Sequence, residues 1–242
     1  MSAAAYIGVA VVVAVAATVQ LLAGFGFALA SVPLMSIVLD PHDAVVVSLA
    51  LATLTNTYQA VSGRHDADRP VVARLLAGAA AGLPVGLLVF RLADSQVLGI
   101  VIGVAVLAAV VLIAAGLDLR HVGPGLDVGA GALSGALTMS AGVNGPPMVF
   151  VLQARHFPPA RFRATTTTVF AVLDIVSIVV FAAIGDADGE VLTAVAVSLP
   201  GLAIGAFAGV SLRRHLDPRR FRWLVLVLLT VAGVAAIIAA LV

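Results

Sequence analysis

The sequence contains no cysteine, no lysine and few charged residues. Without cysteine, the chain can form no disulfide and no thiolate metal site. Only 10% of its 242 residues are charged, whereas a soluble globular domain carries roughly 25%. This composition excludes an ordinary soluble protein. All thirteen cationic side chains are arginines, and the net charge of +1 gives no indication of a nucleic-acid partner.

Hydrophobic residues make up 62% of the chain, and they are gathered into long runs. A helix needs about 20 such residues to cross a bilayer. We therefore predict an all-α integral membrane protein that forms a single domain over residues 1–242. It should have about eight transmembrane helices, near 3–22, 44–62, 71–90, 96–117, 126–154, 164–184, 190–212 and 221–242. A shorter run at 27–39 is predicted to continue the first helix beyond a break.

The arginines predict an orientation in the cytoplasmic membrane. If eight spans alternate, one face carries nine arginines and the other carries four, and the richer face should be cytoplasmic. Both termini are then outside. The chain begins MSAAAYIGVAVVV, with no basic segment, so we expect the first run to be retained as a helix. The predicted cytoplasmic set is Arg91, Arg155, Arg161, Arg163, Arg213, Arg214, Arg219, Arg220 and Arg222, and the other set is Arg64, Arg69, Arg74 and Arg120.

The two halves of the chain, 1–119 and 125–242, resemble each other. A shift of 123 residues carries three glycines spaced by four onto three others, and a shift of 118 carries Gly24 onto Gly142 and Pro41 onto Pro159. Four spans in each half would make both halves enter the membrane from the same side. We therefore predict two parallel four-helix repeats, an arrangement typical of transporters. The matched glycines are Gly78, Gly82 and Gly86, then Gly201, Gly205 and Gly209.

Helices 1 and 5 are each interrupted by glycine or proline, in the segments LAGFGFALASVP and SAGVNGPPMVF. Irregular backbone at membrane depth is tolerated only inside protein or beside a water-filled cavity. Breaks at matching positions of two repeats indicate a binding site. The helix start after the second break would present N–H groups and a positive dipole end, which suits an anion. Simple kinking is the structural alternative. The predicted substrate-binding residues at the breaks are Gly24, Gly26, Ser140, Gly142, Asn144, Gly145 and Pro146.

Polar residues also lie within two other spans. Asn56 is a candidate ligand, because an unpaired amide in hydrocarbon costs several kcal/mol. Thr166 belongs to a run of four threonines that could donate hydroxyl groups or simply bond their own helix. Asp174 lies near the centre of its span, where a carboxylate is a functional hypothesis by default. It could carry a coupling proton, or it could be a protonated structural group.

These residues resemble the sulfite exporter TauE/SafE family of membrane transporters. The resemblance covers nearly the whole chain and rests on GFGFALASVP, LDPHDAVVVSLA, GALSGALTMSAGVNGPPMVFVL and FRATTTT. It implies two four-helix repeats, no organic cofactor, and movement of small anions, often sulfite or organosulfur compounds, across the cytoplasmic membrane. It also implies that Gly24, Gly26, Gly142, Asn144, Gly145 and Pro146 occupy motif positions of the family.

The sequence therefore predicts a secondary transporter that moves a small anion, such as sulfite or a sulfonate, by alternating access. An anion channel has the same sequence features, and so does a transporter of another solute coupled to protons through Asp174. An enzyme is not expected, because the histidines fall in loops or at helix ends; these are His42, His65, His121, His156 and His215. No metal site is predicted. The expected partners are the substrate and the lipid bilayer, and the oligomeric state stays open, a homodimer included.

Overall fold

A computed structural model of the protein describes residues 3–115, 123–212 and 218–241. This part of the chain is all-helical, with ten helices and no strand. Six of the described helices are long and apolar enough to cross a membrane. The helices are α1 Ala3–Ala23, α2 Phe27–Met35, α3 Pro41–Gly63, α4 Arg69–Leu92, α5 Ser95–Ala115, α6 Gly125–Ala141, α7 Gly145–Ala154, α8 Pro159–Ile184, α9 Gly189–Leu212 and α10 Pro218–Leu241.

The two predicted interruptions are present, between α1 and α2 and between α6 and α7. Gly24, Gly26 and Gly142 have φ angles of 82°, 103° and 68°. Residues with a Cβ atom rarely adopt this left-handed backbone conformation, so glycine is the residue that lets the chain turn at these points. The sequence therefore locates both breaks correctly.

A ladder of glycines brings α4 and α6 into backbone contact. A Cβ atom at Gly78, Gly82 or Gly86 would overlap a backbone carbonyl oxygen of α6, and the contacted residue advances along α6 in the same order. The two helices are therefore parallel. In lipid, small residues stabilise such pairs because they allow close packing. The contacted carbonyls are those of Val128, Ala132 and Ala136.

The same contact recurs between α9 and α1. Gly201, Gly205 and Gly209 face the carbonyl oxygens of Ala10, Ala14 and Thr18. Each of these glycines lies 123 residues after its counterpart in α4, and each carbonyl lies 118 residues before its counterpart in α6. Helices α1 and α9 are therefore also parallel, and they are packed through equivalent residues.

Two other helix pairs run in opposite directions. Asn56 of α3 bonds Asp174 of α8, while Gly63 lies against Ala164, so the numbers fall along α8 as they rise along α3. Helices α5 and α10 behave likewise, since Gly99 faces Ala240 and Gly233 contacts Leu107 farther along α5. Parallel repeats would place equivalent helices in the same direction. The prediction of parallel repeats is therefore wrong.

Both breaks reverse the chain. Short connections make α8 and α9 antiparallel, so α9 points the same way as α3. Helix α1 is parallel to α9 and hence to α3, and α2 must run back between them. By the same reasoning α6 points the same way as α8, and α7 runs back. The run at 27–39 does not continue the first helix, because the glycine turn redirects it.

The reversals also change which arginines share a face. Arg161 pairs with Asp68, and Arg74 and Arg155 both pair with Asp127, at 2.8 and 2.6 Å. The predicted separation of the arginine sets is therefore wrong for these residues. We call this surface the arginine face; its arginines with described side chains are Arg64, Arg69, Arg74, Arg155, Arg161 and Arg163. The start of α10, with Arg219, Arg220 and Arg222, lies at the same face. Arg120, Arg213, Arg214, His121 and His215 lie outside the described residues.

The opposite surface, here the acidic face, collects helix ends rich in carboxylates. Asp40 caps α3 by accepting from the His42 N–H at 2.9 Å and from the Ser95 hydroxyl at 2.5 Å. Burial alone would raise the pKa of Asp40, but these hydrogen bonds and the His42 ring hold that pKa below its usual value. The other acidic side chains here are Asp43, Asp94, Asp186, Asp188 and Glu190, and Arg91 is the arginine among them in the described chain.

The glycine ladder can be tested by adding one methyl group. We expect Gly82→Ala to lower the free energy of unfolding in detergent by about 1–3 kcal/mol, because the Cβ overlaps the Ala132 carbonyl. Gly129→Ala is the control, since nothing lies within 4 Å of a Cβ there. Thermal unfolding followed by circular dichroism measures both. Equal stability of the two variants would contradict the close α4–α6 contact.

Candidate functional site

The centre of the molecule holds a buried carboxylate between two amides. Asp174 lies in the middle of α8 and has no exposed surface. Asn56 Nδ2 donates to its Oδ2 at 2.7 Å, and Asn144 Nδ2 donates to its Oδ1 at 2.8 Å. Asn56 comes from α3, and Asn144 is the residue before α7 in the second break. Three predicted site residues are thus in direct contact.

A fourth residue, Gln20 of α1, extends this cluster to the first break. Its Nε2 donates to Asn56 Oδ1 at 2.5 Å, and its Oε1 accepts from the backbone N–H of Phe27 at 3.1 Å. Gln20 is 1% exposed. The first residue of α2 is therefore hydrogen-bonded through two side chains to Asp174. We call Gln20, Asn56, Asn144 and Asp174 the amide–carboxylate cluster.

The Phe27 N–H fixes the direction of these bonds. A backbone N–H can only donate, so Gln20 must accept through Oε1 and donate through Nε2. Asn56 must then accept from Gln20 through Oδ1, which leaves its Nδ2 to face Asp174. The orientation of both amides follows from the network, although oxygen and nitrogen of an amide have nearly the same shape.

The break residues surround this cluster. Gly142 lies against Val32 of α2 and Val45 of α3, so the second break touches the helix that follows the first. Gly145 lies near Leu29 and Phe170. Gly24 lies against the side chain of Arg163, and Gly26 lies against Val19. Pro146 is buried in the first turn of α7.

Two predicted hydroxyl ligands bond their own helices. Ser140 Oγ donates to the Ala136 carbonyl at 2.7 Å, and Thr166 Oγ1 donates to the Phe162 carbonyl at 2.6 Å. Neither hydroxyl contacts the amide–carboxylate cluster through a described hydrogen bond. Their part in substrate binding stays a prediction, and the bonds seen are those that threonine and serine commonly make in helices.

A cavity of about 290 Å³ opens on the arginine face. It is bounded by α3 and α8 and includes Gln59, one turn from Asn56, and Arg163 beside Gly24. Gln59 Nε2 is buried without a hydrogen-bond partner among the described residues. The cavity is lined by Leu21, Tyr58, Gln59, Ser62, Gly63, Asp66, Ala160, Arg163, Ala164, Thr167 and Val210.

Three aromatic rings pack together near the acidic face, at the opposite end of α3 and α8 from the cavity. Phe90 packs against His42 and Phe181, with 4.7 Å between ring centroids in both pairs. His42 Nε2 also lies 3.1 Å from the Phe90 carbonyl oxygen. These three residues, which we call the aromatic plug, join the start of α3 to the ends of α4 and α8.

The site offers hydrogen-bond donors rather than metal ligands. Within the described ranges, no group of three or more histidine or acidic side chains could hold a metal ion. The chemistry present is two amide N–H groups directed at the two oxygens of one buried carboxyl group. Amide donors placed in this way can also hold a small anion.

Gln20 is the functional residue that sequence reasoning missed. It is a polar residue in an otherwise apolar run, AATVQLLAGFGF, only four positions before Gly24. Burying an amide in hydrocarbon without a hydrogen-bond partner costs free energy, so a glutamine in this apolar run already indicates a buried partner. The expected partner could not be named, because it lies 36 positions away on another helix.

Removing the Gln20 amide should destabilise the fold without changing its packing volume greatly. Gln20→Met leaves the Phe27 N–H and the Asn56 carbonyl oxygen without a partner, and each buried unpaired group costs about 1–3 kcal/mol. We expect a corresponding fall in thermal stability in detergent. Thr230→Val is the control, since that exposed hydroxyl bonds only the Leu226 carbonyl of its own helix. Unchanged stability in Gln20→Met would contradict the network.

Comparison with known proteins identifies the family. The family model described as sulfite exporter TauE/SafE matches residues 9–236. The chain is 28% identical over 198 residues to a protein named probable sulfite/organosulfonate exporter TauE from Cupriavidus necator, covering 78% of this chain and 77% of that protein. No solved structure matches. Since the match spans nearly the whole chain, breaks and amide–carboxylate cluster included, the protein belongs to the sulfite exporter TauE/SafE family.

Proposed function

We propose that this protein is a secondary transporter that exports a small sulfur oxyanion or organosulfonate, such as sulfite, across the cytoplasmic membrane. One observation supports this most directly. Two side-chain amides donate to one buried carboxyl group where both broken segments converge, inside a bundle of membrane-spanning length. Membership of an exporter family agrees with a transporter rather than an enzyme. The name of the Cupriavidus necator relative suggests the substrate class and the direction.

We further propose that the chain consists of two inverted five-helix repeats, α1–α5 and α6–α10. The support is the antiparallel course of α3 with α8 and of α5 with α10. A twofold axis in the membrane plane would relate such helices, as in many secondary transporters. Asn56 and Asp174 occupy equivalent positions, 118 residues apart. Gly26 and Asn144, also 118 apart, both precede the returning helices α2 and α7.

The charge distribution suggests the orientation. In the described chain the arginine face carries nine arginines, three of them at the start of α10, and the acidic face carries only Arg91. Cytoplasmic loops are enriched in arginine and lysine, so we assign the arginine face to the cytoplasm. Helix α1 begins and α10 ends at the acidic face, which places both termini outside. The conclusion matches the sequence prediction, although the arginines are grouped differently.

In this proposal the substrate enters from the cytoplasm through the 290 Å³ cavity. The Arg163 side chain supplies positive charge along the way, and Gln59 supplies an unused amide donor. The anion then reaches the Asn56 and Asn144 amides and the N-terminus of α7. The predicted ligands Gly24, Gly26, Ser140, Gly142, Gly145, Pro146 and Thr166 would shape this space through their backbone and packing. Closure of the cavity and opening of the aromatic plug would release the anion outside.

A substrate panel with an Asn144 variant tests the site. Purified protein is heated in detergent with sulfite, thiosulfate, sulfate, methanesulfonate or chloride, and a ligand at a hundredfold over its dissociation constant stabilises by about 2.7 kcal/mol. We expect a selective shift with a sulfur anion. Asn144→Ala should weaken that binding roughly 10- to 150-fold, since a hydrogen bond to a charged group contributes about 1.5–3 kcal/mol.

Thr193→Val is the matched control, because this exposed hydroxyl bonds the Gly189 carbonyl of its own helix and should be dispensable. Transport by both variants is then measured as efflux from proteoliposomes. Counterflow in the same vesicles separates a carrier from a channel. A stabilising shift with cations alone, or full transport by folded Asn144→Ala protein, would contradict the proposal.

Single cysteines test the inverted repeats, since the chain has no cysteine of its own. We expect His65→Cys and Ala160→Cys to be shielded from a membrane-impermeant maleimide added outside cells, and Leu92→Cys to react. All three residues are exposed. Parallel four-helix repeats would instead give Ala160→Cys and Leu92→Cys the same reactivity. Labelling after permeabilisation shows that each cysteine is present.

A further inference from the structure

The amide donors proposed for the substrate are already in use. Asn56 and Asn144 donate to the two oxygens of Asp174, and these three side chains are at least nine-tenths buried. A substrate anion that takes either donor must therefore displace an interaction of Asp174. It would also place a second negative charge beside a carboxylate in a region that water does not reach, which is strongly unfavourable.

The charged and titratable groups around α8 lie near helix ends or face away. Tyr58 of α3 is exposed, and the Arg74 and Arg155 side chains pair with Asp127 near the arginine face. The hydrogen bonds of Asp174 itself both come from amides. On the helices packed against α8, and on α8 itself, the remaining charged or titratable groups are His42, Asp43, Arg69, Arg91, Arg161 and Arg163.

The two oxygens of Asp174 are not equivalent. The bond series from Phe27 through Gln20 obliges Asn56 to donate to Oδ2, so Oδ2 must remain an acceptor. Asn144 has no second side-chain bond that fixes its amide within the described residues. It occupies the N-cap position of α7, but its side chain makes no capping hydrogen bond there. A hydroxyl at Oδ1 could thus donate to the Asn144 carbonyl after the amide rotates. Rotation would direct the Asn144 NH₂ group away from Asp174.

We propose that a proton on Asp174 Oδ1 is bound together with the substrate anion, and that the two cross the membrane together. This inference rests on the proposed anion transport. Proton binding at Oδ1 turns the Asn144 amide and makes its NH₂ group available at the start of α7. The anion accepts that hydrogen bond and faces a neutral carboxylic acid. Without the proton, Asp174 itself occupies both donors and excludes the anion.

The coupling predicts that transport of a monovalent anion carries no net charge. One proton and one monoanion move in the same direction, so a membrane potential should not drive the wild-type protein, whereas a pH gradient should drive both toward the alkaline side. Export from the cytoplasm is then driven by the outward concentration gradient of the anion itself. Asp174→Asn imitates the protonated acid, because its carbonyl can accept from Asn56 and its NH₂ group can donate to Asn144. This variant should lose the response to pH and move the anion in response to the potential.

Calorimetry on the wild-type protein tests the proton directly. Methanesulfonate is the probe, because it does not titrate near neutral pH, and binding is measured in two buffers with different heats of ionisation. We expect uptake of about one proton per bound anion. Asp174→Asn should bind with uptake near zero. Asp43→Asn, which removes a carboxylate at the start of α3, should keep the wild-type value.

Proteoliposomes supply the second readout. The rate of methanesulfonate flux is compared under an imposed potassium-diffusion potential and under an imposed pH gradient. Wild-type flux that follows the potential, or anion binding without proton uptake at any pH, would overturn the coupling while leaving anion transport intact. Absence of binding by every sulfur anion would instead overturn the proposed function. The wild-type measurements decide the question even if Asp174→Asn fails to fold.

Discussion

Every polar group inside this bundle needs a partner from the protein, because hydrocarbon offers none. The bond series from the Phe27 N–H through Gln20 and Asn56 to Asp174 satisfies that constraint across three helices and the start of a fourth. Asn144 completes it from the second break. The broken backbone and the buried carboxylate are therefore solutions to one problem. Each break would be costly without the cluster, and the cluster is assembled by the breaks.

Close helix packing holds the cluster in place. Glycines of α4 and α9 bring these helices against the carbonyls of α6 and α1, the helices that lead into the two breaks. Each breaking segment is thus fixed on one side by backbone contact and on the other by hydrogen bonds. The paired arginines at Asp127 add a further link between α4, α6 and the end of α7.

The sequence was sufficient for the membrane class, both breaks and three members of the cluster, since glycine, proline and buried polar residues are conspicuous in apolar runs. The sequence was insufficient to predict the direction in which the chain continues after each break. A glycine turn such as that at Gly24 can kink a helix or reverse it, and composition does not distinguish the two. Counting one crossing per run then separated Arg155 and Arg161 from Arg74 and Asp68, with which they share a face. Gln20 was missed because its partner Asn56 is distant in the sequence.

Two residues of the aromatic plug differ in size from those at the equivalent positions of the other half. Positions 118 residues from His42 and Phe181 hold Ala160 and Gly63, and both of these small residues line the open cavity. If the halves are inverted copies, the arginine face has small residues at the positions where the acidic face has the rings of His42 and Phe181. A symmetric fold would then prefer the state in which the cavity on the arginine face is open, and the side-chain volume at two positions would set this preference. Larger side chains at Ala160 and Gly63 should bring the states open to either side of the membrane close in free energy. The preference for one state would then depend on a few side-chain atoms and not on the fold.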